Sequence, residues 1–425
     1  MVASRTSLGS LVLLFGFQAA ASCQDELRER VNRALEEARP ALMDHLRAVG
    51  RETVRPGELA LILLAAIHDG VDADDPVFVK AAQKLAKAKI DETYDAALRL
   101  MVCEASMSFP DRLELARADA KELLSHRDSS GAFSYRDKAN TWDLSNTQYA
   151  ALGLRAAKAM GVKIDGSIWA KMAQQVGEQQ DSYGGFGYST AMRRGPDAYA
   201  SMTAAGIAVL AICRQALGED GRGNTNIDKH ISRGWQWFAS NSGVLGSPNE
   251  RWAYYFHYGL ERAAILCDVE AIDGMDWYAK GATMFVDAQL PGGGWRSNFD
   301  GYPGNSLERG RGNLVPTAFA ILFLRRKFQK VTGPITPHVV TLAAVGPKSK
   351  QPDIDACADE LVRRGMEAMP DLLWALRSDI VQQRHAAAAA LTKIAGESFG
   401  FEPLRDADAN RDAVRKAELW YLRHR

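Results

Sequence analysis

The sequence carries no surplus of charge of either sign, since 52 Lys and Arg side chains balance 52 Asp and Glu side chains among its 425 residues. A protein that binds nucleic acid through phosphate groups needs a basic surface, so this balance argues against a nucleic-acid partner. The sequence also lacks any useful length of alternating apolar and polar residues, the pattern that predicts half-buried strands. This second absence favours an all-α protein.

Cysteine is scarce as well, with five in the whole chain. Cys23 lies near the N-terminus, and the others are widely spaced within helical segments: Cys103, Cys213, Cys267 and Cys357. Nothing in this spacing predicts a disulfide framework. We therefore expect buried free thiols, and neither a metal nor another cofactor.

The N-terminal apolar run is too short for a transmembrane helix, because Leu8 to Ala21 spans 14 residues and a bilayer needs about 20. Arg5 precedes the run and three alanines end it, which predicts a secretory signal over residues 1–22. We expect export to the periplasm or cell envelope. Cys23 follows a weak lipobox, so a lipid anchor at Cys23 is an alternative to simple cleavage.

A glycine-centred motif dominates the middle of the chain. Lys280-Gly281 is followed by Phe285, Gln289, Gly293 and Trp295 in the spacing K-G-x3-F-x3-Q-x3-G-x-W. Gln289 lies one helical turn after Phe285 and shares its face, so it can cap the backbone of the glycine turn. Trp295 is then expected to fold back against the same helix.

Weaker copies of this motif precede it at Gly131, Gly184 and Gly243, in steps of 53, 59 and 50 residues up to Gly293. Each step has room for two helices and two loops. Inner helices rich in small residues follow the glycines, three of them beginning at Thr147, Thr203 and Thr317. A repeated hairpin of this kind buries its apolar face only by stacking on its neighbours.

The motif resembles the QW repeat of triterpene cyclases such as squalene-hopene cyclase. The resemblance implies an α/α toroid of the terpenoid cyclase and protein prenyltransferase superfamily over residues 25–330, and it is closest to exported bacterial proteins with a single toroid. Helical patterns predict twelve helices there, which make six hairpins in one closed ring. Residues 331–350 form a predicted linker, and residues 351–425 a helical extension resembling a HEAT repeat at Arg384-His385-Ala386-Ala387.

Chemistry in such a ring is expected at the rim where loops run from outer to inner helices. Inner-helix N-termini point there and favour an anionic group. Aromatic side chains from separate repeats can surround one ligand there, and Arg296 can bind a carboxylate or phosphate. The predicted ligand-binding residues are Trp142, Asp143, Asn146, Tyr188, Tyr199, Trp252, Tyr255, His257, Tyr258 and Arg296.

Two groups of residues are candidates for catalysis. His257 and Glu261 are one helical turn apart, so Glu261 can orient the imidazole for acid–base work; an interhelical network in the ring's centre is the alternative. Asp72, Asp74 and Asp75 resemble the Asp-x-Asp-Asp proton donor of class II cyclases. They also precede Pro76, and this order is typical of a helix N-cap.

The prenyltransferase resemblance raises one metal possibility. Those enzymes hold zinc with an Asp-x-Cys pair and a distant histidine, and Asp355-Ala356-Cys357 with His385 has these letters. The residues follow the predicted linker, out of reach of a toroid cavity, so no zinc site is expected.

The resulting interpretation is an exported toroid that binds a small apolar or isoprenoid-like ligand with a polar or anionic end. Three alternatives remain. The chain is a terpenoid-cyclase-like enzyme, a carbohydrate-active α/α barrel in which aromatics stack on sugars, or a scaffold that binds an envelope protein through its rim or C-terminal tail.

Overall fold

The computed structural model describes residues 9–50, 54–106, 108–136, 142–189, 198–219, 225–248, 250–300, 312–325, 345–346, 349–376, 378, 380–405 and 409–424. The chain divides into two compact units, Met1–Thr332 and Gly333–Arg425. Most of the predicted linker, residues 331–350, and the first eight residues of the predicted signal lie outside the described residues.

The first unit contains six helical hairpins. The outer helices are α1 (Gly9–Val49), α3 (Pro76–Ala86), α5 (Arg112–Ser125), α7 (Gly166–Gln179), α9 (Thr225–Ser240) and α11 (Trp277–Asp287). The inner helices are α2 (Pro56–His68), α4 (Thr93–Ala105), α6 (Leu144–Ala159), α8 (Ala200–Glu219), α10 (Ala253–Leu266) and α12 (Leu314–Leu324). Two short antiparallel strands, β1 (Ala271–Ile272) and β2 (Met275–Asp276), connect α10 to α11.

The inner helices form a closed ring. Each packs on the next in the order α2, α4, α6, α8, α10, α12, and α12 packs back on α2. Outer helices pack on the outside, and α1 contacts both α11 and α12. The fold is therefore an α/α toroid, and the predicted helices and six hairpins are confirmed. All six loops that run from an outer to an inner helix emerge at one end, which we call the rim.

A threonine in the first turn of an inner helix fixes the rim in three repeats. Thr147 Oγ1 accepts a hydrogen bond from the backbone N–H of Phe133 at 3.0 Å. Thr203 accepts from Phe186, and Thr317 accepts from Trp295, both at 3.1 Å. The aromatic residue two positions after each rim glycine is thus tied to its own hairpin.

The rim glycines sit directly against the next outer helix. A Cβ at Gly184, whose φ is 94°, would lie 2.3 Å from the carbonyl oxygen of Arg233 in α9. In the third repeat the prediction of Gly243 is wrong, because the glycine that contacts the next outer helix is Gly246. A Cβ at Gly246, with φ 71°, would lie 2.8 Å from the Lys280 carbonyl, whereas one at Gly243 would meet nothing within 4 Å. Contact with the neighbouring helix, and not the spacing alone, decides which glycine is needed.

The ring closes through the last repeat. A Cβ at Gly293 would lie 1.9 Å from the carbonyl oxygen of Glu37 in α1, so only glycine fits. Gln289 Nε2 donates to the carbonyl of Gly293 at 2.9 Å, as predicted, and also to that of Ala34 in α1 at 2.8 Å. The predicted capping glutamine therefore also joins the two ends of the ring.

A buried carboxylate supplies a second closure. Asp69, 4 % exposed at the end of α2, accepts from Arg325 Nε at 2.9 Å and pairs with Arg39 Nε at 2.6 Å. Arg325 follows α12 and Arg39 lies in α1. One carboxylate thus links the first, second and twelfth helices at the end opposite the rim.

The second unit contains the helices α13 (Gln351–Arg364), α14 (Met369–Ala375), α15 (Val381–Ala395) and α16 (Arg411–His424). Arg384 is buried and donates to the carbonyls of Ser378 and Pro403, at 2.6 and 2.8 Å. It therefore holds the turns around α15. The HEAT-like character of this unit remains a prediction.

Replacing Trp295 by alanine is expected to destabilise the toroid by about 3–5 kcal/mol, the usual cost of truncating a buried aromatic residue. Trp295 is fully buried, and its Nε1 donates to the carbonyl of Phe285 at 2.7 Å. Denaturant unfolding of the purified chain measures the loss. Phe299→Ala is the control, because Phe299 is 50 % exposed. Equal stability of the Trp295→Ala variant and the wild type would rule out this role.

Candidate functional site

The centre of the ring is lined by tyrosines from separate helices. The Tyr94 ring in α4 lies 4.4 Å from that of Tyr149 in α6, centroid to centroid. Tyr149 lies 6.2 Å from Tyr255 in α10, and α8 separates α6 from α10 in the ring, so this contact crosses the lumen. The aromatic residues therefore form one continuous cluster across the toroid.

The lower part of this cluster closes the lumen. Tyr255 donates through its hydroxyl to Gln148 Oε1 at 2.6 Å, again from α10 to α6. Tyr149, Tyr258 and Gln148 are each 1 % exposed, and the Tyr258 ring lies 5.0 Å from that of Phe319 in α12. We call these residues the floor: Gln148, Tyr149, Tyr258 and Phe319.

Above the floor, nearer the rim, the aromatic side chains are only half-buried, and we call the region between them the bowl. Its wall consists of Tyr94, Tyr188, Tyr199, Trp252 and Tyr255. Burial raises the pKa of Tyr199 to about 12, and it raises the pKa values of Tyr94, Tyr188 and Tyr255 further. At neutral pH these hydroxyls are neutral, and the Tyr255 hydroxyl already donates to Gln148.

One buried carboxylate lies beside this wall. Asp143 is the N-cap of α6, where Oδ1 accepts from the Asn146 backbone at 2.8 Å and from the Ser145 hydroxyl at 2.6 Å. Its Oδ2 accepts from Asn146 Nδ2 at 2.7 Å. Coulombic repulsion from Asp143 adds to the effect of burial in raising the pKa of the Tyr188 hydroxyl. Asp143 is therefore both a structural cap and a buried carboxylate beside the bowl.

An aromatic and cationic cluster stands at the mouth. Trp252 precedes α10 with a left-handed backbone, φ 63° and ψ 39°, which is rare for a bulky residue. Its ring lies 6.3 Å from that of Phe299, and the Arg251 guanidinium lies 5.6 Å from the Trp252 centroid. Arg296, the predicted partner of an anionic group, is exposed on the rim.

His257 is not placed for acid–base chemistry. It is fully buried; Nε2 accepts from the Gly246 backbone N–H at 3.1 Å, and Nδ1 lies 2.7 Å from the carbonyl oxygen of Ala253. Thr147 makes the same bond to the carbonyl four residues earlier. His257 thus replaces the repeat threonine, and its longer side chain reaches the differently placed glycine. The predicted orientation of this imidazole by Glu261 is wrong, because backbone groups occupy both nitrogens.

The aspartates before α3 cap that helix. Asp75 Oδ1 accepts from the backbone N–H groups of Val77 and Phe78, at 2.8 and 3.3 Å, and Asp72 accepts from the Asp74 backbone at 2.9 Å. Their loop connects an inner to an outer helix and therefore lies at the end opposite the rim. This position agrees with the N-cap interpretation and removes these acids from the bowl.

Apart from Arg296, the predicted ligand-binding residues divide into a buried group and a half-buried group. Trp142, Asp143, Asn146, His257 and Tyr258 are buried and support the bowl or its floor, whereas Tyr188, Tyr199, Trp252 and Tyr255 face it. Sequence reasoning missed Tyr94 and Tyr149, which the repeat register could have placed on the inner face. It also missed Asp300, a buried carboxylate that accepts from the Tyr255 backbone at 2.9 Å.

Four described cysteines are thiols outside any disulfide. Cys103, Cys213 and Cys357 are buried, as predicted, and Cys267 is partly buried. Asp355 accepts from Gln351 at 2.8 Å within α13. Within the part of the chain that the structure describes, no three His, Cys, Asp or Glu side chains could jointly hold a metal ion.

Comparison with known proteins concerns the fold. No protein-family model matches the chain, and no curated protein does. Among solved structures, the chain is similar to the type II terpene cyclase MstE from Scytonema, at 13 % identity over 70 % of this chain and 98 % of that one, with a TM-score of 0.45.

Two structures of another class are similar to the same extent. A possible GH105-family member from Salmonella enterica has 12 % identity over 71 % of this chain and 94 % of that one, with a TM-score of 0.49. The unsaturated glucuronyl hydrolase of Bacillus sp. GL1 has 13 % identity, coverages of 71 % and 98 %, and a TM-score of 0.47. None of these similarities assigns an activity to this chain.

Replacing His257 by threonine is expected to reduce the loss in free energy of unfolding that occurs as the pH falls below 6.5. Burial lowers the pKa of His257 from 6.5 to about 4, although the bond to Ala253 opposes this. The unfolded chain takes up a proton below pH 6.5 and the folded chain does not, so stability falls between pH 6.5 and 4, by about 3 kcal/mol in total.

Urea unfolding at pH 7.5, 6, 5 and 4.5 measures this dependence. His257→Thr loses packing volume at every pH, so its slope with pH is the quantity to compare, and His385→Gln in the second unit is the control. A wild-type slope retained in His257→Thr would show that another group causes the acid sensitivity.

Proposed function

We propose that the toroid binds a ligand in the rim bowl, with the apolar part of the ligand on the tyrosine faces and a polar or anionic end toward the mouth. The observation that carries the proposal is the half-buried state of the wall tyrosines above a floor that is almost fully buried. Aromatic side chains with polar tips suit a ligand of mixed character, because each supplies an apolar face and a hydrogen-bond donor.

The charges around the bowl suggest how such a ligand is oriented. Asp143 disfavours an anion beside α6, whereas Arg251 stands at the mouth next to Trp252. An anionic end would therefore face Arg251 and the mouth, with the body of the ligand lying toward Tyr94 and Tyr255. This differs from the sequence-based expectation, in which Arg296 held that end.

The ligand class favoured by the repeat resemblance is small and isoprenoid-like. A carbohydrate is the second candidate, and the combination of stacking aromatic faces with the Asp143 carboxylate supports it. Catalysis is not part of the main proposal, because His257 is engaged by backbone groups and the aspartates before α3 lie at the other end. Export, a lipid anchor at Cys23 and an envelope partner are further parts of the proposal, and they rest on the N-terminal sequence.

Replacing Tyr199 by alanine is expected to reduce ligand retention at least tenfold, because Tyr199 is half-buried at the mouth and its ring is available to a ligand. Native mass spectrometry of protein purified from its own envelope detects retained molecules by their mass, whatever their chemical identity. Tyr183→Ala is the matched control, since Tyr183 is 84 % exposed. A wild-type protein that retains nothing, or unchanged retention in Tyr199→Ala, would favour the scaffold alternative.

Changing Asp72, Asp74 and Asp75 together to asparagine separates a binder from a cyclase. Asparagine is as good an N-cap as aspartate, so the variant should fold and keep its ligand. Product formation is measured with squalene as a test polyene. If the wild type forms a cyclised product and the folded variant does not, these acids are catalytic and the binding proposal is wrong.

A further inference from the structure

A layer of charged side chains lies in the ring below the floor. Glu104 in α4 comes ten residues after Tyr94, about 15 Å further from the rim along the helix. Arg155 in α6 donates to Glu104 Oε1 at 3.2 Å. Glu261 and Arg262 in α10 are each 1 % exposed. We call Glu104, Arg155, Glu261 and Arg262 the lower polar layer.

Arg262 has two buried donors with no hydrogen bond. Its Nε and Nη2 satisfy hydrogen-bond geometry with no described group, and Nη2 lies 3.8 Å from Glu261 Oε2, beyond hydrogen-bond distance. The Tyr258 hydroxyl is buried without a hydrogen bond of ordinary geometry to a described group, and the Arg262 guanidinium lies 4.3 Å from the Tyr258 ring centroid. Burying unmatched donors is costly, so donors without an acceptor among the described residues suit an added ligand that carries acceptor atoms.

The pair of free nitrogens defines the shape of that acceptor. Nε and Nη2 form one edge of the guanidinium, and two parallel N–H bonds from such an edge match the two oxygens of a carboxylate or phosphate. The Tyr258 hydroxyl adds a third donor. A single water molecule cannot accept from both nitrogens with the same parallel geometry.

The surrounding charges leave room for one negative charge. Arg112, Arg155 and Arg262 all act on Glu104, while Glu104 and Glu261 are the carboxylates of the layer. Arg112 lies in α5, outside the layer, whose own two arginines and two glutamates balance when all are ionised. Burial raises the pKa of Glu104, and a proton on Glu104 would leave the layer one positive charge.

The layer is also within reach of solvent. Glu104 lies deep in the protein, yet 24 % of its side-chain surface is accessible, and Arg155 keeps 13 %. Solvent therefore reaches the edge of the lower polar layer. Tyr149 and Tyr258 in the floor are 1 % exposed and lie between this edge and the bowl above.

We propose that the lower polar layer binds a small oxyanion, a carboxylate or an inorganic phosphate, held by Nε and Nη2 of Arg262 and by the Tyr258 hydroxyl. This site does not depend on the rim bowl. The ring would then contain two sites, one on each side of the floor.

Isothermal titration of the full chain with acetate, and separately with phosphate, tests the proposal against chloride at matched ionic strength. We expect saturable binding of at least one oxyanion to the wild type. Arg262→Lys keeps the charge but loses the paired nitrogens, so its affinity should fall at least tenfold. The preferred anion in the wild type distinguishes a carboxylate from a phosphate ligand.

Tyr258→Phe keeps the test decisive if the arginine variant does not fold. The Tyr258 hydroxyl makes no hydrogen bond of ordinary geometry to a described group, so we expect a stable variant with several-fold weaker anion binding. Arg363→Lys, on an exposed arginine of α13, is the control that should bind as the wild type does. No oxyanion binding in the wild type, or unchanged binding in Arg262→Lys or Tyr258→Phe, would overturn the proposal. Loss of rim binding alone would leave it standing.

Discussion

The structure depends on closure between its first and last hairpins. The inner helices α2 and α12 can bury both of their sides only if α12 returns to α2, and this return requires Gly293 to touch the backbone of α1 without a side chain. Gln289 and Asp69 secure the same junction at opposite ends of the ring. Closure sets the spacing of the inner helices, and this spacing decides which tyrosines meet across the lumen.

Much of this architecture could be predicted from the sequence, because it depends on contacts between residues that are close in the chain. Gln289, Gly293 and Trp295 are close in the chain, and their contacts follow from helix geometry and one turn. Gly246 could not be predicted in the same way, since its need for glycine comes from Lys280 in the next hairpin. The HEAT-like character of the extension remains a prediction.

The candidate site was harder to predict than the fold. Polar residues are frequent in the first turns of α10, and they pointed to His257 as a catalytic candidate. The imidazole instead takes the structural place of the threonine that three other repeats use. Tyr94 and Tyr149 carry no motif and become significant only when α4, α6 and α10 converge. The donors of Arg262 are visible only through the geometry of their surroundings.

Trp252 has a consequence for the balance between stability and activity. A left-handed backbone costs a bulky residue about 1–3 kcal/mol, and glycine would adopt it freely. The protein therefore gives up stability at this residue to hold an indole beside Arg251 at the mouth of the bowl. A search for more stable variants would select glycine there, and the variants it found would lack the aromatic face.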